Sequence, residues 1–182
     1  VCGNPKALNH VYKGLTKAIR KVDADHILFL EGNFYSRYFD ELDPPFDANT
    51  VYSCHNYVPP GLVNGMYPGM AWGVQYDFAK LEEDYEHLRS FMRRHHVPNW
   101  VGEFGSKYWG TRYDRYRLKA VDDIISIFER NKDHWTIWTY KDIGVMGLVY
   151  VRQDSEWMKR TQKVRLLKKR IGCDFGTQDS QL

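Results

Sequence analysis

The chain has 182 residues, 43% hydrophobic and 27% charged, a composition that supports one buried core and excludes a disordered protein. Its formal net charge of +3 is too small to indicate a nucleic-acid partner, and its three cysteines lie too far apart for a zinc site or a disulfide framework. No apolar run approaches the roughly 20 residues of a membrane span, and no signal-peptide pattern opens the sequence. We therefore expect a soluble chain, and the sequence leaves its cellular location open.

Helical and strand patterns alternate along the chain. Apolar residues recur every three or four positions over residues 9–22, which predicts an amphipathic helix, and a continuous apolar run at 26–30 predicts a strand covered on both faces. The same patterns repeat: strands are predicted at 50–57, 99–104 and 135–140, and helices at 77–95, 113–130 and 155–171. This alternation indicates parallel βαβ units, so we predict one α/β domain over residues 1–175 and a frayed tail at 176–182.

Polar and aromatic side chains gather where the predicted strands end. Because the carboxyl ends of parallel strands meet at one edge of a sheet, these side chains define a predicted active site. A carboxylate with a histidine, a tyrosine and a tryptophan around it suits the cleavage of glycosidic bonds. The residues are Glu31 and Asn33 after the first strand, His55, Asn56 and Tyr57 in the second, Glu103 in the third, and Trp138, Tyr140, Lys141 and Asp142 in or after the fourth.

One of these strand ends carries a motif, Gly102-Glu103-Phe104-Gly105. It resembles the nucleophile motif of family 5 glycoside hydrolases, cellulase-like enzymes with a (β/α)8 barrel. Residues 26–33, 52–59 and 138–141 are similar, in order, to that family's fifth, sixth and eighth strands. The resemblance covers only the second half of the barrel. It implies half of a TIM barrel, with four parallel strands alternating with helices.

The resemblance also implies roles for individual residues. Glu103 would be the nucleophile of a retaining mechanism, His55 and Tyr57 would line the first sugar subsite and hold that carboxylate, and Trp138 would stack on the sugar. Trp109, with Trp72 and Tyr67, either extends an aromatic floor into neighbouring subsites or simply packs in the fold. Asn33 is a further candidate for sugar binding.

The general acid of the family is missing from its expected place. Family members carry Asn-Glu-Pro at the end of the fourth strand, whereas this chain reads Gly3-Asn4-Pro5, and an amide cannot supply the proton of a carboxylic acid. We expect a homodimer, in which two half-barrels close an eight-stranded ring. Asp142, or less favourably the partner's Glu103 or the partner's Glu31, would then approach the acid's position. The chemistry requires no metal and no cofactor.

The predicted activity is hydrolysis of β-glucosidic bonds in small β-glucosides or β-1,4-glucans, with weak or altered turnover. The alternative is a catalytically inactive sugar-binding half-barrel, a remnant that lacks the general acid. A flavodoxin-like sheet that binds a phosphorylated ligand is a third possibility, but no glycine-rich phosphate loop follows any strand. The basic residues between positions 159 and 170 are expected to form a solvated outer face of the last helix.

Overall fold

The computed structural model describes residues 4–57, 66–151, 157–159 and 161–172, so Cys2, Cys173 and the tail predicted at 176–182 lie outside the described residues. The helices are α1 Pro5–Ile19, α2 Asn33–Ser36, α3 Phe78–Leu88, α4 Ser90–His95, α5 Asp114–Arg130 and α6 Thr161–Ile171. The strands are β1 Leu28–Glu31, β2 Thr50–Tyr57, β3 Gly69–Ala71, β4 Val74–Tyr76, β5 Asn99–Gly105, β6 His134–Ile137, β7 Lys141–Asp142, β8 Val149–Val151 and β9 Trp157–Lys159.

The four predicted strands form one parallel sheet in the order β1-β2-β5-β6, which confirms the predicted α/β architecture. One face of this sheet is covered by helices. There Phe104 of β5 packs at ring-centroid distances of 5.2 Å from Phe128 of α5 and 5.3 Å from Trp135 of β6. Tyr52 packs 5.0 Å from Phe91 of α4, so the apolar strand residues anchor the helical layer.

The opposite face of the sheet carries a row of rings from three of its four strands, β1, β5 and β6. Phe29 lies 5.7 Å from Trp100, which lies 6.0 Å from His134, all measured between ring centroids. Phe29 is 51% exposed. Among the described residues, no helix covers this face in the way that α4 and α5 cover the opposite face.

Helix α1 begins earlier and ends earlier than the predicted 9–22. The side chain of Asn4 accepts a hydrogen bond of 3.2 Å from the backbone N–H of Ala7, and Pro5 occupies the first turn, where its missing N–H costs nothing. At the other end, the guanidinium of Arg20 binds Asp47.

Three predicted elements differ from the structure. The helix predicted at 77–95 is divided at Arg89 into α3 and α4, and the strand predicted at 135–140 runs from His134 to Ile137. The helix predicted at 155–171 is wrong in its first part, because β9 pairs antiparallel with β8 and α6 begins only at Thr161. Pairing of β9 with the strand just before it, which three-residue strands do not reveal through periodicity, decided this stretch.

Lys163 corrects the prediction of a fully solvated basic face on the last helix. Its side chain is buried, and its ammonium group donates hydrogen bonds to the carbonyl oxygens of Ser106, at 3.0 Å, and Met146, at 2.5 Å. Arg170 binds Asp122 and Glu129 of α5. These two cations hold α6 against the rest of the fold instead of facing solvent.

Candidate active site

A bulge in β5 sets the direction of Glu103. Cys54 pairs with Val101 and His55 with Glu103, so Gly102 is an extra residue that faces no partner on β2. A bulge of this kind shifts the alternation of a strand by one residue. As a result Val101 and Phe104 are both fully buried in the core, while Glu103 remains accessible on the other side.

The positions on either side of the Glu103-Phe104 pair, 102 and 105, require glycine for different steric reasons. A Cβ on Gly102 would lie 2.4 Å from the hydroxyl oxygen of Ser53 on β2. Gly105 has a φ of +153°, and a Cβ there would lie 2.8 Å from the carbonyl oxygen of Trp138. The two glycines of the Gly-Glu-Phe-Gly sequence therefore allow β5 to form the bulge and still pack closely against Ser53 and Trp138.

Two strand-end side chains, Tyr57 and His55, contact Glu103. The hydroxyl of Tyr57 donates a hydrogen bond of 2.6 Å to Oε2 of Glu103, and Nδ1 of His55 lies 3.4 Å from the same oxygen. Nε2 of His55 lies 3.4 Å from Oε1 of Glu31, so the imidazole stands between two carboxylates. Burial first, and then the bond to Glu103, raise the pKa of Tyr57, which keeps its hydroxyl a donor.

These residues open onto a cavity of about 690 Å³, a volume in the range of small-molecule sites. Its wall includes His55, Asn56, Tyr57 and Glu103, so the structure brings together four of the predicted site residues. The wall also contains residues that the sequence prediction omitted or left undecided: Tyr35, Arg37, Trp72 and Lys107.

The other predicted site residues do not line this cavity. Trp138 and Trp109 are about half exposed, and the Trp109 ring lies 5.9 Å from the ammonium of Lys107. The side chain of Asn33 accepts a hydrogen bond of 3.0 Å from the N–H of Phe34. The carboxylate of Asp142 accepts bonds from the N–H groups of Gly144 and Met146, at 2.8 and 3.1 Å.

Tyr67 and Trp72, which the sequence left undecided together with Trp109, lie in different environments. Tyr67 is buried and its hydroxyl donates a hydrogen bond of 2.9 Å to Asp123, so it packs in the fold. Trp72 is exposed and lines the cavity. Tyr35 lies in an aromatic-rich segment just after β1, and that position is the one signal in the sequence that marks it.

A family model described as cellulase (glycosyl hydrolase family 5) matches residues 3–144. The chain belongs to glycosyl hydrolase family 5. The chain is also similar to a protein of Phanerodontia chrysosporium named Beta-xylosidase, with 30% identity over 181 residues. That alignment covers 93% of this chain and 37% of the relative.

Solved structures show the same fold. Cel5A of Thermotoga maritima, described in complex with mannotriose, superposes with a TM-score of 0.69 at 18% identity, over 90% of this chain and 55% of that one. Cellulose synthase subunit Z of Clostridioides difficile gives a TM-score of 0.69 at 18% identity, over 90% and 56%. This family 5 chain thus spans about half of each of these two proteins, and its sheet is half of a TIM barrel.

None of the described helices combines the length and the hydropathy of a membrane span. Among the described residues, no three histidine, cysteine, aspartate or glutamate side chains converge as a metal site would require.

Proposed function

We propose that this chain carries the nucleophile side of a glycosidase that cleaves β-glucosidic bonds in small β-glucosides or β-1,4-glucans. The observation that supports this most directly is the Glu103 carboxylate at the cavity wall, held by the 2.6 Å hydrogen bond from Tyr57. A carboxylate that is held in this way beside a substrate cavity can act as the nucleophile of a covalent mechanism. His55 is proposed to position the same carboxylate, and Trp138, Trp109 and Asn33 to contact more distant parts of the sugar chain.

The proposed reaction passes through a covalent intermediate. An oxygen of Glu103 forms a bond to the anomeric carbon while the bond from that carbon to the glycosidic oxygen breaks. The leaving oxygen takes the bonding electron pair and a proton from a carboxylic acid. Water then displaces Glu103 from the sugar and gives a proton back to the carboxylate that the acid has become.

The source of that proton is a separate part of the proposal. Asn4 caps α1, and its amide cannot act as the acid. Asp142 is the carboxyl group of this chain that the sequence suggests, but its carboxylate is held within its own turn by the backbone N–H groups of Gly144 and Met146. We therefore propose that a second copy of the chain, which would complete the barrel, brings a carboxylic acid to the site.

An activated substrate tests the nucleophile without the acid. Dinitrophenolate leaves without protonation, so the first step with 2,4-dinitrophenyl β-glucoside, which releases dinitrophenolate and glycosylates Glu103, requires no acid, whereas 4-nitrophenyl β-glucoside and cellobiose benefit from one. We expect turnover of the first substrate by the native chain and by Glu83→Gln, a control on the exposed side of α3, and none by Glu103→Gln. The matching β-xyloside belongs in the same assay, because the relative from P. chrysosporium is named a β-xylosidase.

A mechanism-based inhibitor identifies the atom that is attacked. We expect 2,4-dinitrophenyl 2-deoxy-2-fluoro-β-glucoside to leave one fluoroglucosyl group on Glu103, seen by mass spectrometry of a peptide digest. A label on another residue would contradict the proposed nucleophile. No label and no turnover with the activated substrate would instead favour the sugar-binding alternative, which Asn4 at the position of the acid already supports.

A further inference from the structure

Two exposed aromatic residues of the cavity wall, Tyr35 and Trp72, have left-handed backbone conformations that are unfavourable for bulky side chains. Phe34, Tyr35 and Ser36 are consecutive non-glycine residues with φ of +49°, +58° and +58°, and Trp72 has a φ of +51°. Left-handed backbone brings Cβ too close to the neighbouring carbonyl oxygen, so bulky residues rarely adopt it. These are positions at which glycine or asparagine would be expected from local energetics alone.

Specific hydrogen bonds hold each strained segment. The hydroxyl of Ser36 accepts a bond of 2.9 Å from the N–H of Gly32 and donates to the carbonyl of Ser53 on β2. The N–H of Asn33 donates to the carbonyl of Tyr38 at 2.8 Å, which closes the turn. Trp72 sits at the tip of the hairpin that β3 and β4 form, where Ala71 pairs with Val74. The neighbouring fold therefore keeps both aromatic residues in place.

Core packing does not account for these two rings. Tyr35 is 83% exposed and Trp72 is 68% exposed, so neither side chain compensates its backbone strain by burial. Both line the cavity that contains Glu103, although they come from separate loops after β1 and β2. Strain combined with exposure at a cavity wall is typical of residues retained for binding.

We propose that Tyr35 and Trp72 form an aromatic subsite that stacks on the pyranose ring next to the bond cleaved at Glu103. A β-linked glucose or xylose ring presents a flat face of C–H groups, which suits exposed aromatic rings. This inference rests on the proposed function, since it assigns the neighbouring part of the same carbohydrate substrate. Contact with these rings would orient the sugar on one side of the cleaved bond, either the leaving group or the sugar that becomes attached to Glu103.

Glycine substitutions separate a binding role from a structural one, because the two roles predict opposite changes. Tyr35→Gly and Trp72→Gly relieve the left-handed strain, so we expect Tm to stay level or rise while affinity for cellotetraose or xylotetraose falls about tenfold. Lys132→Gly is the matched control, since Lys132 also has a positive φ, of +57°, and lies after α5, outside the cavity wall. This control is expected to match their thermal behaviour with unchanged affinity.

The affinities are measured by calorimetry in a Glu103→Gln background, so that no sugar is consumed. Tyr35→Phe and Trp72→Tyr, which keep a ring, are expected to retain most of the binding. Unchanged affinity in both glycine variants, or a Tm lowered by several degrees together with lost binding, would overturn the subsite. If sugar binding depends on the two rings but the native chain shows no turnover, only the proposed hydrolysis is contradicted. If the native chain turns over substrate and neither binding nor turnover depends on the rings, only the subsite is contradicted.

Discussion

At the scale of single residues, the contact between Tyr57 and Glu103 is the one on which the proposed reaction depends most directly. The hydroxyl hydrogen bond of 2.6 Å is short, and its acceptor is a carboxylate oxygen in a partly buried site. Hydrogen bonds to charged groups contribute about 1.5–3 kcal/mol, which corresponds to roughly 10- to 100-fold in rate when the bond orients a reacting group. Removal of this one hydroxyl is therefore expected to have a measurable effect on the reaction.

We expect Tyr57→Phe to slow turnover of the dinitrophenyl β-glucoside by about 10- to 100-fold with little change in Tm. Tyr116→Phe is the control, because it removes a tyrosine hydroxyl on α5 that accepts a hydrogen bond from Arg115 and lies outside the cavity wall. Equal rates for Tyr57→Phe and the native chain would show that Glu103 does not depend on this donor.

The two glycines that flank Glu103 make a prediction about stability. A methyl group at position 105 would clash with the backbone oxygen of Trp138, which cannot move aside easily. The φ of +153° at this position is also unfavourable for alanine. At position 102 it meets the side chain of Ser53, which has some freedom to rotate. We expect Gly105→Ala to lower the free energy of unfolding by about 1–3 kcal/mol, and more than Gly102→Ala, in urea titrations. The reverse order would refute this steric account.

At the scale of elements, the sequence predicts what is local or buried. The apolar runs give all four strands of the parallel sheet, because a strand packed between layers needs continuous apolar residues. The hairpin of β3 and β4 and the small sheet of β7, β8 and β9 were not predicted, since strands of two or three residues leave no periodic signal. The left-handed turn at Tyr35 contradicts local preference, and only contacts with β2 explain it.

The same distinction holds for the candidate site. The order of strands and the rule that strand ends share an edge were enough to place His55, Tyr57 and Glu103 together. The rule could not tell which loop residues turn toward that edge. Tyr35 and Trp72 face the cavity because of their backbone dihedrals, and the Asp142 carboxylate is occupied by its own turn. Loop conformation is therefore the part of the site that strand patterns do not encode.

Helix α1 is joined to the segment before β2 by an ion pair whose pH dependence can be predicted. Arg20 donates from Nε and Nη2 to the two oxygens of Asp47, each at 2.8 Å. These hydrogen bonds lower the pKa of Asp47 from 3.8 to about 2. Because the folded pKa is below the unfolded one, the stabilisation is fully present above pH 3.8 and is lost as the pH falls toward 2.

We therefore expect the native chain to be more stable than Asp47→Asn above about pH 4, and the difference to vanish near pH 2 as Asp47 becomes protonated. Urea titrations of both proteins at steps across this interval measure it. Asp40→Asn, which breaks an exposed pair with Arg94, is the control and should show a much smaller difference. A gap between native and Asp47→Asn that stays constant from pH 5 to pH 2 would be inconsistent with this pairing.

At the scale of the whole molecule, the ring-bearing face of the sheet is the feature that half a barrel leaves uncovered. Phe29 on the edge strand β1 is half exposed, and its row with Trp100 and His134 lies on the side that no described helix covers. A broad apolar face and an unpaired edge strand both favour association. In a ring closed by two copies, this face would become the interior of the barrel.

The proposed homodimer predicts a mass and a variant that changes it. The native chain should sediment at twice its 21.6 kDa, and Phe29→Glu should sediment at the mass of one chain, because a carboxylate would be buried without a partner in the closed barrel. Val22→Glu is the matched control: Val22 is 88% exposed after α1 and away from the sheet face, so the dimer should persist. The circular dichroism of all three proteins should coincide, since Phe29 contributes little to the covered core. A native chain that sediments at 21.6 kDa at every concentration would exclude the second copy, and the missing half of the site would then have to come from a different polypeptide segment.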